Sequence, residues 1–207
     1  MEVKVCGMTA IENLEAIQVV QPNYFGFIFY EKSPRAVHLA EIPYFKNTKK
    51  IGVFVDENIE VMLSKQKQFN LDGIQLHGNE NVNKIKKLKV SLPRKTEIFK
   101  AISIKDQSDF EVIHNYEDSV DKIILDTKTN LKGGSGQQFD WELLENYTFN
   151  IPFLLSGGIG PNDAKQVLKL YNKYPKMAGV DINSKFETEP GVKNAKQVKQ
   201  FINTLQS

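Results

Sequence analysis

The 207-residue sequence predicts a closed (β/α)8 barrel, an α/β fold, and two observations lead to this prediction. Eight short β-branched or aromatic runs are spread evenly along the chain, and helical patterns lie between them. The runs are apolar throughout rather than alternating, as in Ile51-Gly52-Val53-Phe54-Val55, which is typical of parallel strands covered on both faces. They begin near Val3, Tyr24, Lys50, Asp72, Glu97, Lys122, Ile151 and Ala178.

The segments between the first strands differ in how clearly they predict a helix. Thr9-Ala10-Ile11-Glu12 matches a capping box and predicts that a helix begins just past the first strand. After the second strand, Pro43 allows only a short helix. Val82, Ile85 and Leu88 are spaced three apart among lysines, which predicts an amphipathic helix after the fourth strand.

The last two units carry clear helical patterns. Gly160-Pro161 predicts a helix with proline at its first position. Apolar residues at i, i+3, i+4 and i+7 predict a full amphipathic helix at the end of the eighth unit: Val198, Phe201, Ile202 and Leu205. Because of that last helix we favour the closed barrel over an open doubly wound sheet. The barrel is expected to form one domain over residues 1–207, close to the minimal length of this TIM-barrel fold.

Composition and charge argue against several classes of protein. With 27 basic and 25 acidic residues the formal net charge is only +2, so no nucleic-acid partner is expected. The single cysteine rules out an internal disulfide and a zinc site built from several thiolates. No apolar run approaches the roughly 20 residues of a membrane helix. The start Met1-Glu2-Val3-Lys4-Val5 lacks the pattern of a signal peptide, so we expect a cytoplasmic protein with no membrane partner.

Reactive side chains stand at the carboxyl ends of the predicted strands, where the active site of a barrel lies. Cys6 ends the first run, His77 the fourth, Asp126 the sixth and Asp181 the eighth, and Arg35 follows the second. Each has an ordinary alternative, because a lone cysteine is usually a buried hydrophobe and an aspartate after a strand is commonly a cap. The histidine could satisfy a backbone carbonyl, and the arginine could be a surface cation. Their joint placement at one end is what indicates a catalytic site.

Two glycine-rich stretches lie at the same end. Ser156-Gly157-Gly158-Ile159-Gly160 exposes backbone N–H groups between the seventh strand and a helix, which favours a phosphate site over a plain tight turn. Gly133-Gly134-Ser135-Gly136 closely follows Asp126 and predicts a mobile loop over the site. A linker to a helix near Trp141 is the alternative for that stretch.

Motifs along the whole chain match those of one known family, in order. They are Lys4-Val5-Cys6-Gly7-Met8-Thr9, Gly26-Phe27-Ile28-Phe29, Ser33-Pro34-Arg35, Gly52-Val53-Phe54-Val55, Gln75-Leu76-His77-Gly78, Leu125-Asp126, Gly133-Gly134-Ser135-Gly136, Phe139-Asp140-Trp141, Leu155-Ser156-Gly157-Gly158-Ile159 and Gly179-Val180-Asp181, then Glu187 and Pro190-Gly191. The chain thereby resembles the phosphoribosylanthranilate isomerases, barrel enzymes of tryptophan biosynthesis.

The resemblance implies an Amadori rearrangement, without metal or organic cofactor. N-(5-phosphoribosyl)anthranilate would become 1-(2-carboxyphenylamino)-1-deoxyribulose 5-phosphate. The residues matching the family's general base and general acid are Cys6 and Asp126. The expected substrate-binding residues are Arg35, at the anthranilate end, with His77 and Asp181, and the expected phosphate-binding residues are Gly157, Gly158, Asn183 and Ser184. The expected small-molecule partner is the phosphosugar substrate, and the chain is expected to be a monomer or a homodimer.

Both roles require the pKa of the catalytic group to differ from its ordinary value. A thiol with a pKa of about 8.5 is only about 3% thiolate at pH 7, so Cys6 needs positive potential nearby. Raising an aspartic acid from a pKa of about 3.9 to about 7 costs about 4 kcal/mol. We therefore expect Asp126 to be poorly solvated and its proton to be favoured by bound substrate.

One departure from the family lies in the eighth-strand loop. Lys185-Phe186 stands where Gly-Val is usual, which predicts an altered loop path and an exposed Lys185.

Three alternative functions stay open at this point. The related sugar isomerase of histidine biosynthesis normally carries aspartate in place of Cys6. A metal-dependent sugar-phosphate epimerase would be short of ligands, because His38 and His114 fall in predicted helical regions. A catalytically silent barrel would bind a phosphosugar without converting it.

Overall fold

The computed structural model describes residues 1–127 and 138–206 and contains a closed, eight-stranded parallel barrel. Each strand pairs with the next in chain order, and the first strand closes on the eighth through the register from Glu2↔Gly179 to Val5↔Ile182. This closure excludes the open doubly wound sheet. The strands are β1 Glu2–Val5, β2 Tyr24–Ile28, β3 Lys49–Phe54, β4 Gly73–Leu76, β5 Glu97–Ile104, β6 Lys122–Thr127, β7 Phe153–Leu155 and β8 Met177–Ile182.

Helices surround the barrel, and a small hairpin follows β8. The α-helices are α1 Ile11–Gln18, α2 Ile59–Phe69, α3 Val82–Ser91, α4 Ala164–Lys173 and α5 Ala195–Gln206. The 3₁₀ helices Gln107–Asn115 and Trp141–Asn146 follow β5 and β6, and a third, Ser184–Phe186, precedes the antiparallel strands β9 Glu187–Glu189 and β10 Val192–Lys193. The described helices include none that is both long enough and apolar enough to cross a membrane.

The second unit differs from the prediction. The segment 29–48 is described throughout and forms turns and irregular backbone, so the short helix expected near Pro43 is wrong. His38 therefore lies outside any helix, whereas His114 does lie in a 3₁₀ helix. Ile42 and Phe45 cover the barrel instead, and the Phe45 ring meets Phe25 edge-on at a centroid distance of 5.0 Å.

Two helix starts also differ from the prediction, because tertiary contacts take over the residues concerned. The Thr9 hydroxyl donates to the Gly191 carbonyl at 3.0 Å, so the expected capping box is not formed and α1 begins after Ala10. Helix α4 begins at Ala164 after Asp163, which leaves Pro161 in the preceding turn rather than at the first helical position.

Alternate residues of the strands separate two cores. The larger core lies between the strands and the surrounding segments. The smaller fills the barrel with Tyr24, Ile51, Phe99, Ala101, Ile124 and Leu154. Near the amino ends of the strands, the Tyr24 hydroxyl donates to Glu2 Oε1 at 3.1 Å and its ring meets Phe99 edge-on at 5.5 Å. This packing fills the amino end of the barrel and leaves the carboxyl end for the site.

Candidate active site

A cavity of about 650 Å³ lies at the carboxyl ends of the barrel strands, which is where such folds hold their active sites. Its lining includes every candidate site residue except Arg35, namely Cys6, His77, Asp126, Gly157, Gly158, Asp181, Asn183 and Ser184. The thiol and the carboxyl group that are 120 positions apart in the chain therefore face one cavity.

Cys6 lies directly after β1 in a buried, charged environment. Lys4, two residues earlier, points to the same side of the strand, and its ammonium donates to both carboxylate oxygens of Asp181 at 3.0 Å. Burial raises the pKa of the Cys6 thiol; the Lys4 ammonium opposes this rise and the Asp181 carboxylate adds to it. The positive charge expected beside the thiol is thus present, but burial outweighs it.

Asp126, in β6, is held by its neighbours. Its Oδ1 accepts from the Thr127 backbone N–H at 2.9 Å, and its Oδ2 lies 3.3 Å from His77 Nε2. On the far side of the imidazole, Gln75 Nε2 lies 3.0 Å from His77 Nδ1. The Asp126 side chain keeps 19% of its exposure, so it is partly withdrawn from solvent while still facing the cavity.

The glycine loop after β7 lies against Asp126. Gly157 and Gly158 both have positive φ, +82° and +67°, which favours glycine because other residues meet steric strain there. A Cβ at Gly157 would lie 2.2 Å from Thr127 Oγ1 and 2.9 Å from Asp126 Oδ1, so the backbone comes very close to β6. The start of α4 lies six residues beyond Gly158, so the loop rather than that helix lines the cavity.

The loop after β8 completes this side of the cavity with Asn183 and Ser184. Phe186 is fully buried and packs edge-on against Phe201 at 5.0 Å, whereas Lys185 is exposed, as expected. The departure from the family motif therefore contributes an apolar anchor and a solvent-facing cation.

Arg35 is the exception among the candidate residues, because it does not line the cavity. Its Nε lies 2.8 Å from Glu187 Oε1, and its Nη2 lies 2.7 Å from Glu187 Oε2. Glu187 also accepts from Lys193 Nζ, which donates to Asn183 Oδ1 at 3.0 Å. Burial works to raise the pKa of Glu187, but Arg35 and Lys193 outweigh it and the pKa is lowered. Arg35 is thus tied to the loops after β8.

Sequence reasoning did not single out Lys4 and Gln75 as site residues. Both lie in buried strands, two positions before a candidate residue, Cys6 or His77, and so share its face. A polar residue at this spacing inside an apolar run is the signal that could have identified them. For the pairing of Arg35 with Glu187, 152 positions away, we find no comparable signal.

Two further expectations concern the glycine-rich loop after Asp126 and a possible metal site. The loop predicted at Gly133-Gly134-Ser135-Gly136 lies outside the described residues. Within 1–127 and 138–206, no group of three or more His, Cys, Asp or Glu side chains is placed to hold a metal ion.

Comparison with known proteins identifies the family of this chain. The sequence profile of a family described as N-(5'-phosphoribosyl)anthranilate (PRA) isomerase matches residues 3–204. An N-(5'-phosphoribosyl)anthranilate isomerase of Parabacteroides distasonis is 39% identical over 211 residues, covering 99% of this chain and 93% of that protein.

Solved structures extend the match to the fold. One, described as monomers of a dimeric phosphoribosylanthranilate isomerase from Thermotoga maritima, has a TM-score of 0.81 at 28% identity and covers 100% of this chain and 98% of that one. Another, described as phosphoribosyl anthranilate isomerase in complex with reduced 1-(o-carboxyphenylamino)-1-deoxyribulose 5-phosphate, has a TM-score of 0.79 at 28% identity with the same coverage. The chain belongs to the N-(5'-phosphoribosyl)anthranilate isomerase family.

Proposed function

We propose that this chain catalyses the Amadori rearrangement of N-(5-phosphoribosyl)anthranilate to 1-(2-carboxyphenylamino)-1-deoxyribulose 5-phosphate in tryptophan biosynthesis. The single observation that supports it most is the cavity shared by Cys6 and Asp126 in a chain of this family. A relative of the same fold is described in complex with the reduced form of that product.

The proposed mechanism consists of proton transfers and the opening of the ribose ring, in which the nitrogen lone pair forms the C1=N bond as the C1–O bond breaks. The Asp126 carboxyl group gives its proton to the ribose ring oxygen, and the C1–O bond breaks to leave a Schiff base at C1. The Cys6 thiolate then removes the proton from C2, which gives an enolamine. Protonation at C1 and loss of the hydroxyl proton at C2 turn the enolamine into the ketone. General acid–base catalysis of this kind contributes about 10² to 10⁴ in rate.

The other candidate residues take binding roles in this proposal. Gly157, Gly158, Asn183 and Ser184 bind the phosphate, supported by the open backbone of the glycine loop. His77 and Asp181 contact the sugar. Arg35 holds the anthranilate end with the guanidinium edge that does not face Glu187, and the Glu187 pair fixes its plane.

The remaining partners are also proposed. The phosphosugar is the small-molecule ligand. The enzyme acts in the cytoplasm, as a monomer or a homodimer. A dimeric relative supports the second assembly. The net charge of +2 supports the expectation of no nucleic-acid partner.

The test follows the loss of phosphoribosylanthranilate fluorescence with the parent protein, Cys6→Ala and Asp126→Asn. We expect turnover by the parent and a loss of about 10² or more in kcat for each variant, with KM changing far less. Asp118→Asn, at an exposed position, is the matched control and should behave as the parent.

Two results would contradict the proposal at different points. A parent protein that binds the substrate without consuming it would be a silent phosphosugar binder. Comparable turnover by Cys6→Ala or Asp126→Asn would assign that proton transfer to another group.

A further inference from the structure

Lys4 is a charged residue inside the barrel that the mechanism above does not use. Its side chain has no exposure, and its ammonium group lies 3.0 Å from both oxygens of Asp181. Burying a lysine is unfavourable unless its charge is paired and hydrogen-bonded. Asp181 supplies that pairing, and burial of Lys4 beside the cavity therefore places a fixed cation next to Cys6.

The geometry brings this cation to the sulfur as well as to the carboxylate. A Cβ at Gly26, in the neighbouring strand β2, would lie 2.7 Å from Cys6 Sγ and 2.9 Å from Lys4 Nζ. The two groups thus lie close together over the one interior position of β2 that has no side chain. Glycine at position 26 leaves the space that this contact occupies.

The charges around the sulfur come from several elements. Lys4 from β1 and Lys193 from β10 favour a thiolate, whereas Asp181 from β8 disfavours it. Asp181 in turn faces Asp126 and His77, and Lys193 faces Glu187 and Arg35. Burial works to lower the pKa of Lys4, but Asp181 and Cys6 outweigh it and the pKa is raised, so Lys4 stays an ammonium. Of the cations facing the sulfur, Lys4 has the larger effect.

We propose that Lys4 is a positioning residue for the proton-abstraction step, in which its ammonium group, anchored by Asp181 beside Cys6, favours the reactive thiolate of the sulfur facing the cavity and so opposes the burial that disfavours it. This inference rests on the proposed function, where Cys6 is the base. When the thiolate accepts the substrate proton, its charge is neutralised and the Lys4–Asp181 pair stays intact. The step needs no further reactant.

The test reads the thiolate directly. Cys6 is the single cysteine of the chain, so its alkylation by iodoacetamide can be followed by mass spectrometry as a function of pH. Lys4→Met keeps the length of the side chain and removes its charge. We expect the midpoint of the alkylation profile to move up by at least one pH unit and the rate at neutral pH to fall about tenfold, since one pKa unit is a tenfold change in thiolate. In the fluorescence assay, kcat should fall in parallel while KM changes little.

Two further variants separate this role from a structural one. Lys50→Met removes another buried lysine, from β3, whose ammonium donates to the Phe69 carbonyl, and it should leave the alkylation profile unchanged. In Lys4→Met/Asp181→Asn both charges of the pair are removed, so no unpaired carboxylate is left buried. The double variant should still alkylate more slowly than the parent, because the Lys4 ammonium favours the thiolate more than the Asp181 carboxylate disfavours it.

The outcomes distinguish this inference from the function it rests on. A parent-like alkylation profile in Lys4→Met, or in the double variant if Lys4→Met does not fold, would overturn the role of Lys4. A parent protein that shows no turnover would overturn the proposed function, whatever the alkylation profiles show.

Discussion

Gly157 brings the glycine loop after β7 against Asp126, although glycine has no side chain. Its φ of +82° lies in the left-handed region, which costs other residues roughly 1–2 kcal/mol. The space for a Cβ is already filled by Thr127 and by the Asp126 carboxylate. Asp126 can therefore lie this close to the loop only because residue 157 has no Cβ.

Gly157→Ala should accordingly lower both stability and activity. We expect a loss of about 2 kcal/mol or more in the free energy of unfolding and at least a tenfold loss in kcat/KM, because Thr127 and Asp126 must move. Urea unfolding and the fluorescence assay measure the two effects. Gly160→Ala is the matched control, since a Cβ there meets its nearest atoms at 3.6 and 3.8 Å, and parent-like behaviour of both variants would refute the argument.

Among the elements, the β9–β10 hairpin shows how the loops after β8 are fastened to the rest of the barrel. Glu187 in β9 accepts hydrogen bonds from Arg35, from Lys193 in β10 and from the Gly191 backbone N–H. Arg35 belongs to the irregular segment after β2, so one carboxylate ties three parts of the chain together. Because the hairpin begins at Glu187, three residues after Ser184, these hydrogen bonds also help to hold Asn183 and Ser184, the proposed phosphate-binding residues of this loop.

Glu187→Gln should weaken this tie in a pH-dependent way. The pKa of Glu187 is lowered in the folded protein, so its charge stabilises the fold above the pKa of an unfolded glutamate and the contribution is lost as the pH falls through the lowered folded pKa. We expect the variant to be less stable by roughly 2 kcal/mol near neutral pH, the scale of a charge-assisted hydrogen bond. The difference should begin to shrink below a pH of about 4.3.

Urea unfolding at several pH values measures this difference. Glu145→Gln is the control, because Glu145 and its partner Lys173 are 65% and 56% exposed and such pairs contribute about 0–1 kcal/mol. A Glu187→Gln variant whose deficit does not change with pH would show that the carboxylate charge has no part in the tie.

The elements differ in how far the sequence determined them. The strands were predicted to within two residues at their starts, because buried parallel strands leave unbroken apolar runs. The cap at Thr9 and the position of Pro161 were wrong, since a distant carbonyl and a turn decided them. Cys6, His77, Asp126 and Asp181 were predicted from their places at strand ends, whereas Asn183 and Ser184 were predicted only from the family resemblance. The partner of Arg35 depends on a tertiary contact that no local pattern indicates.

In the whole molecule, the two ends of the barrel have different contents. The carboxyl end holds the cavity and its charged groups. The amino end holds Tyr24 between Phe99 and Glu2, with Lys122 Nζ 5.6 Å from the Tyr24 ring centroid. Barrels of this type place catalysis at the first end and stability at the second.

Tyr24→Phe should separate these two properties. Loss of the hydroxyl removes its hydrogen bond to Glu2, so we expect a decrease of about 1 kcal/mol in the free energy of unfolding. Turnover should stay within about twofold of the parent, because the substitution lies at the opposite end from the cavity. Tyr44→Phe, at a side chain that is 85% exposed, should change neither quantity. A large loss of kcat in Tyr24→Phe at unchanged stability would show that the two ends are coupled.

The stretch between β2 and β3 reaches the next strand without a helix, and this has a consequence for how the sequence can diverge. In a helix the backbone hydrogen bonds follow a regular period, so an inserted residue rotates all the following side chains about the helix axis. Irregular backbone has no helical periodicity that an inserted residue could disturb. Surface segments of this kind therefore tolerate added or deleted residues. Relatives of this chain can therefore differ in length here while the barrel register, and with it the meeting of thiol and carboxyl, stays the same.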